Sequence, residues 1–310
     1  MITPNQILKT ASPDLLRDLD LTNDELLYLL DLAVEVKNAP RDYAHVLDGK
    51  SIALLFEKPS LRTKLTFELA MKQLGGDSAF LEGPIGVREP LKDVARNLDR
   101  WFSGLVARVF SQQTVEDLAA WSGVPVINAL SDMYHPCQAL ADVLTVRERF
   151  GRLSGLKIAF VGDGNNVAQS LMLTGLRLGM DFALACPEGY SPNPDLVDQA
   201  EGLAAVSGAS LLITHDPAQA LAGAHAVYTD VWASMGQEHE AILRKKAFHA
   251  YQVNEQLFGM ARADAIFMHC LPAKRGEETT EAVMENQRSA VFDQAENRLH
   301  AQKALLLMML

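Results

Sequence analysis

FEKPSLRTKLTFE, residues 56–68, comes directly out of the apolar run SIALLF at 51–56. That run reads as a buried strand. Pro59 breaks it, and Ser60 stands where a helix N-cap would stand. Leu61, Leu65, Leu69 and Leu74, with Phe67 and Met71 beside them, then form an apolar helical stripe up to Gly75 and Gly76. The chain is therefore expected to leave a strand, turn, and start a helix whose first turn carries Ser60, Arg62 and Thr63. A helix start offers unpaired N–H groups and a partial positive charge. Two hydroxyls and a guanidinium add donors of the kind a phosphate accepts. A capped helix with a surface arginine would look the same, so the choice rests on the rest of the chain.

Outward from this stretch, strand and helix keep alternating. Thr22 and Glu25 form a capping box ahead of a helix to Lys37. Strands are expected at 78–81, 105–110, 124–129, 157–161, 211–214, 226–230 and 265–268, and helices at 91–101, 114–122, 166–178 and 293–310. Repeated βα units predict an α/β protein of two doubly wound parallel-sheet domains. The 151–155 turn marks the boundary: 1–150 is the first domain, 151–292 the second, and the helix 293–310 packs back on the first.

In open α/β sheets ligands sit beyond the carboxyl ends of the strands. Several polar groups fall there: Ser60 to Thr63, Arg108 near the end of its strand, Asn165 and Asn166 with Asp230, and Cys270. His135 and Gln138 flank Pro136, which suits the first position of a helix. A capping histidine and a surface glutamine are the plain alternative there. Residues 162–166, GDGNN, follow a strand and open a helix, as a dinucleotide loop would. The third glycine is missing, and only Glu188 stands loosely for the acidic residue after the next strand. Loop 82–90, with two glycines and two prolines, is a surface connection or a functional flap.

The 310 residues are 48% hydrophobic and 22% charged, enough for a large core in two domains. A formal charge of −11 argues against a nucleic acid or an anionic membrane as partner. It also means that an anionic substrate needs a local cluster of positive donors. Cys137, Cys186 and Cys270 fit no disulfide framework, and their sparse count suits a reducing, cytoplasmic setting. The His135/Cys137 and His269/Cys270 spacings match no usual zinc pattern, so no metal is expected. The N-terminus does not read as a signal peptide, and the closing LLLMML is too short to span a bilayer.

Four motifs occur in series: S-x-R-T at 60–63, HPCQ at 135–138, DVWASMG at 230–236 and HCLP at 269–272. Together they resemble the transcarbamoylase family, and within it the ornithine carbamoyltransferases, over essentially the whole chain. The resemblance implies carbamoyl transfer from carbamoyl phosphate to the δ-amine of L-ornithine, giving L-citrulline and phosphate, in arginine biosynthesis or breakdown. It implies no metal, no cofactor and no covalent enzyme intermediate.

By the same resemblance, Ser60, Leu61 through its backbone, Arg62, Thr63 and Arg108 would hold the phosphate. Thr63, Arg108 and His135 would polarise the carbamoyl oxygen, and Gln138 would hold the carbamoyl nitrogen. Asn166, Asp230, Ser234 and Met235 would contact ornithine. Cys270 and Leu271 would lie by the reacting amine and the carbamoyl group, with Arg298 reaching in from the last helix. The Leu271–Pro272 bond is expected to be cis, and the protein a homotrimer or a multiple of trimers. The sequence departs from the family at Leu61, often threonine, and at Lys64, usually arginine, which would lose a bidentate fork. Loop 82–90 is shorter than in many members, and Arg88 is a guess for a residue reaching a neighbouring subunit. A nicotinamide oxidoreductase, resting on the 162–166 turn, and a non-catalytic ligand-binding scaffold are the rival readings.

Overall fold

The computed structural model describes residue 2 and residues 6–233 and 238–310. By contacts the chain divides into two compact units, Met1–Ala141 with Glu296–Leu310, and Asp142–Ala295. The first run of elements is α1 (Asn23–Asn38), β1 (Ser51–Phe56), α2 (Leu61–Gln73), β2 (Asp77–Glu82), α3 (Leu91–Asp99), β3 (Gly104–Arg108), α4 (Gln112–Trp121), β4 (Val126–Leu130) and α5 (Pro136–Phe150). There follow β5 (Lys157–Val161), α6 (Asn166–Arg177), β6 (Asp181–Ala185), α7 (Pro194–Ser207), β7 (Leu211–Thr214), α8 (Pro217–Leu221) and β8 (Ala226–Thr229). The chain closes with α9 (Ala241–Phe248), α10 (Glu255–Phe258), β9 (Ile266–His269), α11 (Glu281–Met284) and α12 (Val291–Met309).

Both sheets are parallel throughout. The first has the order β2-β1-β3-β4 and the second β7-β6-β5-β8-β9. In each, the chain adds strands to one side of its first strand and then crosses to the other. The reversal falls between β1 and β3 in the first sheet and between β5 and β8 in the second, and such a switch point opens a crevice beyond the strand ends. These α/β layers are what the strand–helix alternation predicts. The contact boundaries lie inside α5 and α12, at Ala141/Asp142 and Ala295/Glu296, rather than in the 151–155 turn, because both helices run unbroken past the boundary.

Local signals place the elements. Thr22 accepts from the Glu25 N–H while the Glu25 carboxylate takes the Thr22 N–H, completing the capping box of α1. Ser60 caps α2 by accepting from the Thr63 N–H; such a cap stabilises a helix by about 1 kcal/mol. The apolar stripe of α2 differs from expectation. Leu61, Leu65 and Leu69 are 70%, 44% and 43% exposed, while Leu74, Phe67 and Met71, of the same expected stripe, are buried together with Thr63 and Ala70. Two stripes offset by two residues compete on this helix, and the sheet covers the one with the aromatic ring. The end of α12, by contrast, is buried on all sides, as a helix apolar all round must be. It sits in the first unit, where the Met308 carbonyl accepts from the Thr10 N–H and Lys37 donates to Asn297. Among the described residues, no helix is long and apolar enough to cross a membrane.

Candidate active site

In the first unit, the carboxyl ends of β1 and β3 lie side by side, with Phe56 paired to Arg108. Beyond β1 the chain turns through Lys58 and Pro59 into the capped start of α2. Glu57 fixes this edge by accepting from the Ile85 and Phe110 N–H groups, which ties loop 82–90 and the β3 exit to the end of β1. Thr63, Arg108, His135, Gln138 and Arg298 are all buried. Arg298, on α12, joins two of them: Nη1 donates to Gln138 Oε1 at 2.6 Å and Nη2 to Thr63 Oγ1 at 3.2 Å. The Gln138 amide is thereby oriented with its oxygen towards the guanidinium. The His135 carbonyl accepts from the Gln138 and Ala139 N–H groups, so His135 closes the first turn of α5. Burial, then the positive charges of Arg298 and Arg108, hold its imidazole well below the usual histidine range. It is therefore a neutral hydrogen-bonding group among cations, suited to an anionic ligand.

In the second unit, Asp230 lies just past β8 and is buried. Its Oδ2 accepts from Asn165 Nδ2 at 2.8 Å, and its Oδ1 from the Val231 N–H at 2.8 Å and the Cys270 thiol at 3.0 Å. Asn165 also caps α6 by accepting from the Val167 and Ala168 N–H groups. Asn166 is the first residue of α6. Leu271 has a positive φ of 60° and precedes a cis bond to Pro272, as expected. His269 Nδ1 accepts from the Leu271 N–H at 2.8 Å, so the ring carries its proton on Nε2, facing Glu278 Oε1 at 3.2 Å. Ser234 and Met235 lie outside the described residues.

The 162–166 turn has a structural use for its glycine. A Cβ on Gly164 would come within 2.4 Å of the Pro192 nitrogen and 2.6 Å of the Ser191 carbonyl carbon. Asp163 is taken by Arg244 at 2.7 Å, and Arg244 also donates to the Trp232 carbonyl. The turn thus packs against residues 191–192 and an ion pair, which explains its composition without a dinucleotide. The fold also gathers Asp230, His269 and Cys270, with ligand-type atoms within 4.8 Å of one another. Local spacing did not reveal that cluster. The Cys270 thiol is hydrogen-bonded to Asp230 within it, and both His269 nitrogens are hydrogen-bonded outside it, to Glu278 and the Leu271 N–H.

Residues 13–148 match the family model described as aspartate/ornithine carbamoyltransferase, carbamoyl-P binding domain. Residues 154–309 match its Asp/Orn binding domain. The chain belongs to the aspartate/ornithine carbamoyltransferase family. An ornithine carbamoyltransferase of Thermococcus kodakarensis is 51% identical over 305 residues, covering 97% of each chain. One of Pyrococcus furiosus, described as anabolic, is 48% identical over 308 residues, again covering 97% of each. The solved structure titled ornithine carbamoyltransferase from Pyrococcus furiosus superposes with a TM-score of 0.94 at 48% identity, over 97% of this chain and 98% of that one.

Within this carbamoyltransferase fold the departures have physical outcomes. Lys64 sits with its ammonium 3.7 Å from the centre of the Phe80 ring, a cation–π contact on the flank of α2. Leu61 is exposed, and as a leucine it offers no side-chain hydroxyl at the start of α2. Arg88 is exposed in loop 82–90. Sequence reasoning missed the hold of Asn165 on Asp230, the Arg244 ion pair and the buried Glu278. Asn165 was legible as a helix cap beside a strand-end carboxylate; the Arg244–Asp163 pair had no local signal, since its partners lie 81 residues apart, and the burial of Glu278 comes from a turn whose fold spacing does not reveal.

Proposed function

We infer that this chain catalyses transfer of the carbamoyl group of carbamoyl phosphate to the δ-amine of L-ornithine, giving L-citrulline and phosphate. One observation carries the choice of acceptor. The amino-acid half presents a buried carboxylate, Asp230, held by Asn165 and Cys270. A carboxylate attracts a cationic amino acid and repels the side chain of aspartate.

In this reading Ser60, the Leu61 N–H, Arg62, Thr63 and Arg108 bind the phosphate, and Arg298 braces Thr63 and Gln138. Thr63, Arg108 and His135 face the carbamoyl oxygen, where negative charge builds as the amine attacks; fixed donors there lower the barrier. Gln138 holds the carbamoyl nitrogen. Asn166, Asp230, Ser234 and Met235 bind ornithine, while Cys270 and Leu271 lie by the reacting amine and the carbamoyl group. The new C–N bond forms, the C–O bond to phosphate breaks, and the nitrogen's proton leaves with the phosphate. Cys270 donates its hydrogen to Asp230, which supports a ligand role rather than a nucleophilic one. No cofactor enters these steps.

The anabolic description of the Pyrococcus relative supports a biosynthetic role, towards arginine. Three cysteines without disulfides support a cytoplasmic setting. The outward leucines of α2, with exposed Leu81 on β2, support self-association; the homotrimer, or multiple of trimers, follows from the family resemblance. The deciding experiment is a carbamoylation assay with ornithine, acetylornithine, putrescine and aspartate side by side. Citrulline from ornithine, with little turnover of the others, is expected; a preference for aspartate or acetylornithine overturns the assignment.

A further inference from the structure

Two buried hydrogen-bonded pairs join α5 to α12. Gln138 and Arg298, in the first unit, are one of them. One helical turn along each helix, in the second unit, Gln294 Nε2 donates to Asp142 Oδ1 at 2.6 Å. Asp142 and Gln294 are both buried. The Gln294 amide is fully used: Nε2 also reaches the Tyr228 hydroxyl at 3.0 Å, and Oε1 accepts from the His269 N–H at 2.9 Å. Burial and the nearby Asp142 raise the Tyr228 phenol well above its ordinary range, so it stays protonated.

The backbone geometry explains why a glutamine stands there. β9 is the edge strand of its sheet. Phe267 is paired on the open side by Arg288 and Ala290, through the backbone. At His269 no backbone follows, and the Gln294 side chain takes over the N–H. A leucine would fill the space but leave that buried N–H and the Asp142 carboxylate short of a partner, which costs more than the hydrogen bonds themselves contribute. The next residue is Cys270, whose thiol meets Asp230.

We propose that Asp142 and Gln294 are positioning residues for the amino-acid half-site: their buried pair fixes the His269 N–H and so keeps the Cys270 thiol on Asp230. The proposal rests on the reading of Asp230 and Cys270 as ornithine contacts. Neither residue touches substrate in this account. α5 and α12 then each carry a residue for the carbamoyl phosphate half and, one turn away, a residue for the ornithine half.

The test uses the full chain carrying Gln294→Glu, which keeps an acceptor for the His269 N–H but sets a second buried carboxyl against Asp142 in place of the amide donor. The KM for ornithine should rise about tenfold while that for carbamoyl phosphate stays within about twofold, the loss of one buried hydrogen bond being felt at one half-site. Alkylation by iodoacetamide, read at Cys270 because Cys137 and Cys186 are buried while Cys270 is half-buried, should speed up severalfold as the thiol is released from Asp230. The exchanged pair Asp142→Asn with Gln294→Glu restores one donor facing one acceptor, and should recover both the ornithine KM and the alkylation rate. Unchanged values in a folded Gln294→Glu variant overturn the proposal. So does a joint rise of both KM values that the exchanged pair does not recover, the mark of a purely structural role. If Gln294→Glu does not fold, Gln294→Met, of similar volume, is read instead: it removes both the donor to Asp142 and the acceptor for the His269 N–H, and wild-type values there overturn the proposal equally. The alkylation rate needs no turnover, so it separates failure of this proposal from failure of the functional reading.

Discussion

At His135, burial and two guanidinium groups favour the neutral imidazole. In the unfolded chain the ring titrates near 6.5. Below that pH the unfolded state binds a proton that the folded state refuses, so stability falls as pH drops through about 6.5 and onward to the lower folded value. His225 and His300 are also held low, mainly by burial, and add to the same acid limb. A urea-unfolding series from neutral pH down to about pH 5 should therefore show a decline that is shallower in His135→Gln. An equal slope in the variant would mean that the histidine titrates normally. His135→Ala, which leaves no side-chain donor, should lose roughly a hundredfold in kcat, the usual effect of removing one donor to a developing oxyanion; kcat near wild type would take His135 out of the chemistry. The nucleophile imposes a second pH dependence. An alkylamine of pKa about 10.4 is almost wholly protonated at neutrality. In the proposed mechanism the Asp230 carboxylate would help bind the ammonium but cannot favour the neutral form, whereas desolvation does. kcat/KM for ornithine should climb from neutral pH towards about 9. A flat profile would point to a limiting step other than amine attack.

At the scale of elements, the glycine in the 162–166 turn separates two explanations that the sequence left side by side. Its missing Cβ lets the turn lie against the backbone of residues 191–192. Gly164→Ala should destabilise the second unit by about 1–3 kcal/mol, the common range for overpacking, and lower the thermal midpoint. An unchanged midpoint would show that the neighbouring backbone yields freely. α2 teaches the complementary lesson. Its length, its Ser60 cap and its Gly75 stop were legible, because all three are local. Which of its two apolar stripes faces the sheet was not, because Leu65 and Phe67 satisfy helical spacing equally well until a sheet is present to choose between them.

At the scale of the whole molecule, the leucines that α2 turns outward are apolar surface that a second copy would cover. Light scattering should give the mass of a trimer or a multiple of it. If sites are shared between subunits, mixing two inactive variants, Arg62→Ala and a substitution at Arg88 in loop 82–90, should restore part of the activity through hybrid assemblies. A monomer mass with no recovery on mixing would remove the shared site. Leu65→Glu with Leu69→Lys, on the outward face of α2, should dissociate the assembly while leaving the fold intact by circular dichroism; retention of the full mass would move the interface elsewhere.

The sequence by itself determined the strand–helix order, the helix caps, the glycine stops and the four motifs, since each depends on residues within a turn or two of one another. The exit of β1 into Ser60–Thr63 and the positions of Arg108 and Asp230 at strand ends follow from that same local grammar. Only the tertiary structure decided which strand lies beside which, and so that β1 meets β3 and β5 meets β8 at the reversals where the polar groups gather. It alone brought Arg298 to Thr63 and Gln138, Cys270 to Asp230, and Gln294 to Asp142 and His269. Those contacts join residues tens to hundreds of positions apart. Periodicity and propensity describe the chain along its length; the partners of a buried side chain are fixed only when burial forces every polar atom to find one.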